Sequence, residues 1–326
     1  MFRTQCGQVL ASYVAATFGL VAALACPAHA ADTAWIKPAG AALTIDATGS
    51  GINAIAASSD GKQLFVDTEP AWFVLDPASG KAVGAPIAGH RDTSGLAAPT
   101  ASAARVFVTT WGNLPDADKS GRTAPKQAGE LLVVDVTGKK SQRLLELKAE
   151  PHVIAASADA RRVALGFADG TVQVIDGASG KSLFGPVKLL KGISIAGQHA
   201  EGTEGVSALA FSPDGARLAV AGEDVSLRVI DAAGGKQLMA FAYGTLSGSG
   251  TNTRTEHIAF TPDGSKLVTT AQDRHLRLHE AATGKLLGEP IRVPGGVNAL
   301  AISADGKTVF TGDNDGRLQR WDLVAR

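Results

Sequence analysis

The chain has 326 residues, enough for one large domain or two ordinary ones, and its 31 basic and 31 acidic side chains cancel. A balanced charge gives no electrostatic pull on nucleic acid or on an anionic membrane, so neither is expected as a partner. Met1-Phe-Arg-Thr-Gln5 carries a single positive charge at Arg3, and Val9 to Ala25 is apolar and rich in alanine. Pro27 breaks any helix, and Ala28-His29-Ala30 supplies the small residues that signal peptidases cleave behind. Residues 1–30 therefore read as a signal peptide cleaved after Ala30, with export to the periplasm or beyond it and no membrane span afterwards. The apolar core is short for a retained anchor. Ala23-Leu24-Ala25-Cys26 loosely resembles a bacterial lipidation site, which makes acylation of Cys26 the alternative. Cys6 and Cys26 both leave with the segment, so disulfides, thiolate metal sites and a cysteine nucleophile are excluded from the mature chain. What remains has 30 basic and 31 acidic residues, a net charge of −1.

Residues 31–326 repeat one phrase. Its clearest copy is Gly205-Val-Ser-Ala-Leu-Ala-Phe-Ser-Pro-Asp-Gly-Ala-Arg-Leu-Ala-Val-Ala-Gly-Glu-Asp-Val-Ser-Leu-Arg-Val-Ile-Asp231, followed by Gly234-Gly235-Lys236. Copies also begin at Gly51, His152, Glu256 and Gly296. A degenerate copy begins at Gly95, with Ala101-Ser-Ala-Ala-Arg105 in place of the Asp-Gly turn, which makes six. The turn residues Asp60, Asp159, Asp214, Asp263 and Asp305 are 99 (two copies), 55, 49 and 42 residues apart. Within the copy, Val206 to Phe211 predicts a first strand, Leu218 to Ala221 a second and Leu227 to Ile230 a third. A Gly-Lys turn then leads into a fourth. Each such sheet is apolar on both faces and needs a neighbour on each side, so a closed ring is the expected arrangement. The chain is thus expected to be an all-β, six-bladed β-propeller of four-stranded antiparallel blades, residues 31–326 forming one domain, with seven blades as the alternative.

Ala-Phe-Ser-Pro-Asp-Gly followed by a strand ending in a hydrophobe and an aspartate resembles the WD40-repeat family over nearly the whole of residues 31–326. The Trp-Asp pair itself occurs at Trp321-Asp322, while Leu75, Val134, Ile175, Ile230 and His279 fill the tryptophan slot elsewhere. Gly89-His90 is the single Gly-His pair, and the resemblance gives His90 a structural role. The side-chain tetrad of that family is mostly absent, which makes this a divergent member. The same turn also occurs in TolB-like and YVTN-type bacterial propellers.

The last copy stops after its third strand. Ala41-Ala-Leu-Thr-Ile-Asp46 matches Leu286-Leu-Gly-Glu-Pro-Ile291 and is expected to supply the missing fourth strand, closing the ring. In a four-strand meander the first–second and third–fourth turns share one end. Those turns are short here. The long segments, residues 112–129, 190–204 and 243–255, all fall at the other end, where binding loops on rigid scaffolds are found. The first mixes Trp111 with two prolines and both charge signs, so Trp111, Arg91, Arg122 and Lys126 are the candidate partner-contact residues. Asp116-x-Asp118-x-Ser120-Gly121 resembles the start of a calcium loop. Gln127 stands where the bidentate glutamate belongs, so a solvated turn is the reading preferred.

Gly180-Lys181-Ser182 has Ile175 in place of the phosphate-loop glycine and reads as a hairpin, and Gly248-Ser-Gly250 has no βαβ setting. The histidines at 90, 152, 199, 257, 275 and 279 have no metalloprotease spacing, although His90 and His199 share the elaborated end. The repeat aspartates are turn residues rather than catalytic ones. These features predict a monomeric, non-enzymatic scaffold for a protein or peptide partner, with no cofactor and no metal. The competing readings are a lactonase-like or quinoprotein-like oxidoreductase propeller, or a small-ligand-binding one, with its site in the central channel.

Overall fold

The computed structural model describes residues 36–324 except 41–42, 46–50, 59, 69–70, 89–96, 101–104, 111–128, 136–139, 191–193, 196–197, 200–203 and 243–254. Two short strands come first, β1 (Ile36–Pro38) and β2 (Leu43–Thr44). Blade 1 is β3 (Ala54–Ala57), β4 (Leu64–Asp67), β5 (Ala71–Leu75) and β6 (Ile87–Ala88). Blade 2 is β7 (Ala97–Pro99), β8 (Arg105–Thr110), β9 (Gly129–Asp135) and β10 (Lys140–Leu147). Blade 3 is β11 (Pro151–Ala156), β12 (Arg162–Phe167), β13 (Thr171–Asp176) and β14 (Ser182–Lys188). A separate hairpin of β15 (Ser194–Ile195) and β16 (Gln198–His199) follows. Blade 4 is β17 (Val206–Phe211), β18 (Arg217–Gly222), β19 (Ser226–Asp231) and β20 (Gln237–Ala242). Blade 5 is β21 (Thr255–Phe260), β22 (Lys266–Ala271), β23 (His275–Glu280) and β24 (Ile291–Arg292). Blade 6 is β25 (Ala299–Ile302), β26 (Thr308–Gly312) and β27 (Arg317–Leu323), and β1 and β2 add to its outer edge.

The first strands touch in the cycle β3, β7, β11, β17, β21, β25 and back to β3, so the six antiparallel sheets form a closed ring. An apolar cluster fills each of the six joints. Blades 1 and 2 share Trp72, Val106 and Val108, and blades 2 and 3 share Phe107, Leu131, Val163 and Ile175. Blades 3 and 4 share Val172, Val174, Leu218 and Ile230, and blades 4 and 5 share Leu227, Val229, Ile258 and Leu267. Blades 5 and 6 share Leu276, Leu278, Val309 and Trp321, and blades 6 and 1 share Phe310, Leu318, Leu64 and Leu75. This is the two-sided burial that the strand sequences require.

The repeated turn has a fixed hydrogen-bond design. The hydroxyls of Ser58, Ser157, Ser212, Thr261 and Ser303 donate to the aspartate two residues on, at 2.5–2.7 Å. Each of these oxygens also accepts a backbone N–H from five residues on. The glycine between takes positive φ, which costs other residues about 1–2 kcal/mol. Blade 3 departs from this with Ala160 at φ 59°, a strained position for an alanine. In blade 2, Thr100 N likewise donates to Arg105 O, at 3.2 Å, and the residues between them lie outside the described ones.

Ring closure differs from expectation in register. β1 pairs with β27 through Ile36 and Leu323, Lys37 and Asp322, and Pro38 and Trp321, so the closing segment starts five residues before Ala41. β2 sets Leu43 opposite Leu318, as β24 sets Ile291 opposite Leu276. Ile291 thus corresponds to Leu43 rather than to Asp46, a shift of three residues from the sequence match.

Candidate interaction face

Three first strands begin with a β-bulge, where the pairing register steps between Pro151 and Val153, between Val206 and Ala208, and between Thr255 and His257. Each step leaves one residue out of the ladder: His152, Ser207 and Glu256. Asn53 and Asn298 occupy the same step in blades 1 and 6. Their N–H groups bond Asp67 O and Gly312 O at 2.8 Å, and those two residues also face Ala54 and Ala299. Bulges re-aim side chains and concentrate beside binding sites. Here they set polar groups at the end of the innermost strands where the long connections lie. His152 and Asn53 are exposed, and Ser207, Glu256 and Asn298 are half-buried. The Ser207 hydroxyl is buried with no hydrogen-bond partner, while the Asn298 amide donates to Asn314 Oδ1.

The second–third turns flank this ring and are built on carboxylates. Asp224 accepts from Ser226 N at 3.1 Å and pairs with Arg228 at 3.2 Å. Asp273 accepts from His275 N at 3.2 Å and pairs with Arg277. Burial raises the Asp273 pKa, but the hydrogen bond and charge of Arg277 outweigh it and hold the carboxyl below the usual range. Positive φ recurs at the middle of these turns, at Gly170, Val225, Arg274 and Gly316. In these two turns acid and base are thus paired locally.

The turn aspartates are committed to structure. The Thr261 hydroxyl, then the Ser265 N–H, holds Asp263 at about 2, and Asp60, Asp214 and Asp305 are lowered first by their own turn hydroxyls. His257 is desolvated to about 4, offset in part by its bond to Val297 O at 3.0 Å. The carbonyl can only accept, so Nε2 carries the hydrogen. His279, in the tryptophan slot, packs against Phe241 with ring centroids 5.2 Å apart and a 39° tilt, and bonds Gly284 O at 3.2 Å through Nδ1. The true Trp321-Asp322 blade buries its indole, which donates to Thr311 Oγ1 at 2.9 Å. Among the described residues no group of three or more His, Cys, Asp or Glu could hold a metal ion.

Arg91, Trp111, Arg122 and Lys126 lie outside the described residues, as do His90, Asp116 and Asp118. Residues 111–128 do connect β8 to β9, the paired second and third strands of blade 2. The long connection between blades 3 and 4 contains the β15–β16 hairpin, with His199 opposite Ser194. Buried Leu190 anchors its start, and Leu189 N donates to Gly170 O at 3.0 Å. Sequence reasoning missed His152, Ser207 and Glu256 as rim residues. The available signal was a polar residue just ahead of the small, apolar body of each first strand.

Residues 194–231 and 288–322 match the family model described as "WD domain, G-beta repeat". The first match runs from β15 to the end of β19, and the second ends inside β27, so each leaves the outermost strand to the next repeat. The sequence matches no curated protein in the comparison. Among solved structures, a chain in "Crystal Structure of Mitotic Checkpoint Complex" is similar with a TM-score of 0.58 at 17% identity, over 89% of this chain and 92% of that chain.

Proposed function

We propose that this six-bladed β-propeller, two of whose repeats match the WD40 model, is a WD40-type, exported, non-enzymatic scaffold. It docks a protein or peptide partner on the end of the ring that carries the second–third and fourth–first connections. WD40 propellers typically serve as protein-binding scaffolds. One observation carries the choice of face. The long connections 111–128, 189–205 and 243–254 lie at the end where the bulges set His152, Ser207 and Glu256, while the opposite end is closed by near-identical short turns. Long loops on a rigid ring vary without disturbing the joints, which is how scaffolds acquire specificity. Trp111, Arg91, Arg122 and Lys126 are the proposed contacts contributed by loops. The signal-like segment 1–30 supports a periplasmic or extracellular location for this scaffold.

The test uses the chain without residues 1–30 as bait in native extract, beside a variant whose residues 112–128 are replaced by Asn-Gly. A protein retained by the first at least tenfold over the second is the expected result. Equal retention by both contradicts a role for this loop. Retention of nothing by either contradicts the scaffold and points to a small molecule in the channel.

A further inference from the structure

The outermost strand of each blade is a sheet edge, and no other described strand pairs with its outer side. Such edges recruit further strands unless shortness, charge, proline or a bulge blunts them. Five of the six blades are blunted in this way. β6 and β24 have two residues each, and the edge of blade 6 is β1, closed by Pro38, with the two-residue β2. β10 carries Lys140, Arg143 and Glu146, and its register steps between Arg143 and Leu145. β14 is broken by Pro186, which has no N–H to donate, and ends in Lys188.

Blade 4 is different. β20, Gln237-Leu-Met-Ala-Phe-Ala242, runs for six residues without a charge, a proline or a glycine. Its one register step lies opposite Val229 and Ile230, so Met239 to Ala242 pair regularly with β19. Met239 and Phe241 pack against the joint with blade 5. Phe241 Cδ1 stands 2.1 Å from where a Cβ on Gly284 would be, so the strand is held firmly from within. Its other face is bare. Leu238 is 52% exposed, the most of any large apolar side chain among the described residues, and Gln237 and Ala240 are exposed beside it.

We propose that β20 pairs antiparallel with β20 of a second copy of this chain, joining two four-stranded blades into one continuous sheet. The bare N–H and C=O groups of an edge are matched only by another extended backbone. The strand also fits its own copy. With Ala240 on the two-fold axis, Leu238 stands opposite Ala242 and Met239 opposite Phe241, so no charge meets its like. The two Lys236 residues that precede the strands fall at opposite ends of the pair, about 27 Å apart. One strand pair buries less than the roughly 1,200 Å² of a tight interface, so the dimer is weak, with a Kd on the order of 10 µM. The monomer expected from the sequence is then its dilute form. β20 lies on the circumference of the ring rather than at the end assigned to the partner, and the pairing does not depend on that assignment.

Sedimentation velocity of the chain without residues 1–30, from about 1 to about 200 µM, is expected to show a shift from monomer to dimer. Ala240→Lys sets two ammonium groups opposite each other, and Ala240→Glu two carboxylates. Each variant is expected to stay monomeric over that range, with an unchanged melting temperature because Ala240 is exposed. An equimolar mixture of the two is expected to dimerise again, since opposite charges then face each other. Leu183→Lys, at an exposed leucine on β14, is expected to dimerise as the parent does. A parent that stays monomeric, an Ala240→Lys chain that dimerises like the parent, or a mixture that does not recover overturns the proposal. Loss of the dimer in a folded Leu183→Lys chain also overturns it, because the contact would then be the apolar rim of blade 3 rather than the edge of β20.

Discussion

Deleting residues 31–46 is expected to lower the melting temperature by about 10 °C or more. The deletion strips the outer edge of β27 and removes Ile36 and Ile45, which are 3% and 8% exposed. Each buried isoleucine contributes about 1.5–3 kcal/mol. The lost ladder bonds, Ala39 N to Arg320 O and Ile45 N to Gly316 O among them, add to that. A total near 5 kcal/mol is a large part of the roughly 5–15 kcal/mol by which domains are stable, and a loss of that size moves the midpoint by about 10 °C or more. The deletion also exposes a bare strand edge, so aggregation on heating is expected with it. Differential scanning calorimetry of the two chains checks this, and superimposable traces contradict closure by the N-terminal strand.

Stability is expected to fall by about 3 kcal/mol as the pH drops from 7 to 4, and His257 is the main cause. Its pKa is near 6.5 in the unfolded chain and about 4 in the folded one. Between those values the unfolded state binds the extra proton, so folding stability is complete above pH 6.5 and declines towards pH 4. A shift of that size corresponds to about 3 kcal/mol. Glu256 is its chain neighbour, Thr270 its ladder partner and Val297 O its acceptor, so no carboxylate is seen bonded to the ring. His279 is lowered by the same desolvation and adds to the same limb. The turn aspartates act in a separate window, with Asp263 at about 2, and their contribution disappears only as the pH falls from about 4 towards 2. Urea unfolding at pH 7, 5.5 and 4 therefore shows a steep limb in the parent chain and a shallower one in His257→Gln, whose amide still donates to Val297 O. Equal slopes for the two chains would rule out this assignment.

The fold was legible because its turns are written in chemistry that has one local solution. A hydroxyl and an aspartate two residues on close the same turn five times, with a glycine after the aspartate in four of them and Ala160 in the fifth, and the first strand expected over Val206 to Phe211 has those bounds in the structure. The second and third strands extend one residue further at each end than their apolar centres, because Arg217 and Asp231 pair through backbone alone. Closure was legible and its register was not. Ala39-Gly40-Ala41-Ala42 is small throughout, and without alternation nothing in the sequence marks which residue faces Leu318. The β15–β16 hairpin has two-residue strands, too short for any period to appear. The rim residues His152, Ser207 and Glu256 are defined by a register step between two strands, a property of pairing that a single strand's sequence does not carry. His257 looked like one more histidine without metal spacing. Its burial depends on blade 6 bringing Val297 O against it.

The scaffold reading stands or falls on which end of the ring the partner touches. Site-specific photo-crosslinking answers that directly, with the reactive residue placed at exposed His152 in one chain and at exposed Lys236, in a turn at the opposite end, in another. Both chains are incubated with the partner retained from native extract and irradiated. The account predicts an adduct from position 152 and none from position 236. An adduct from position 236 with none from 152 would contradict it.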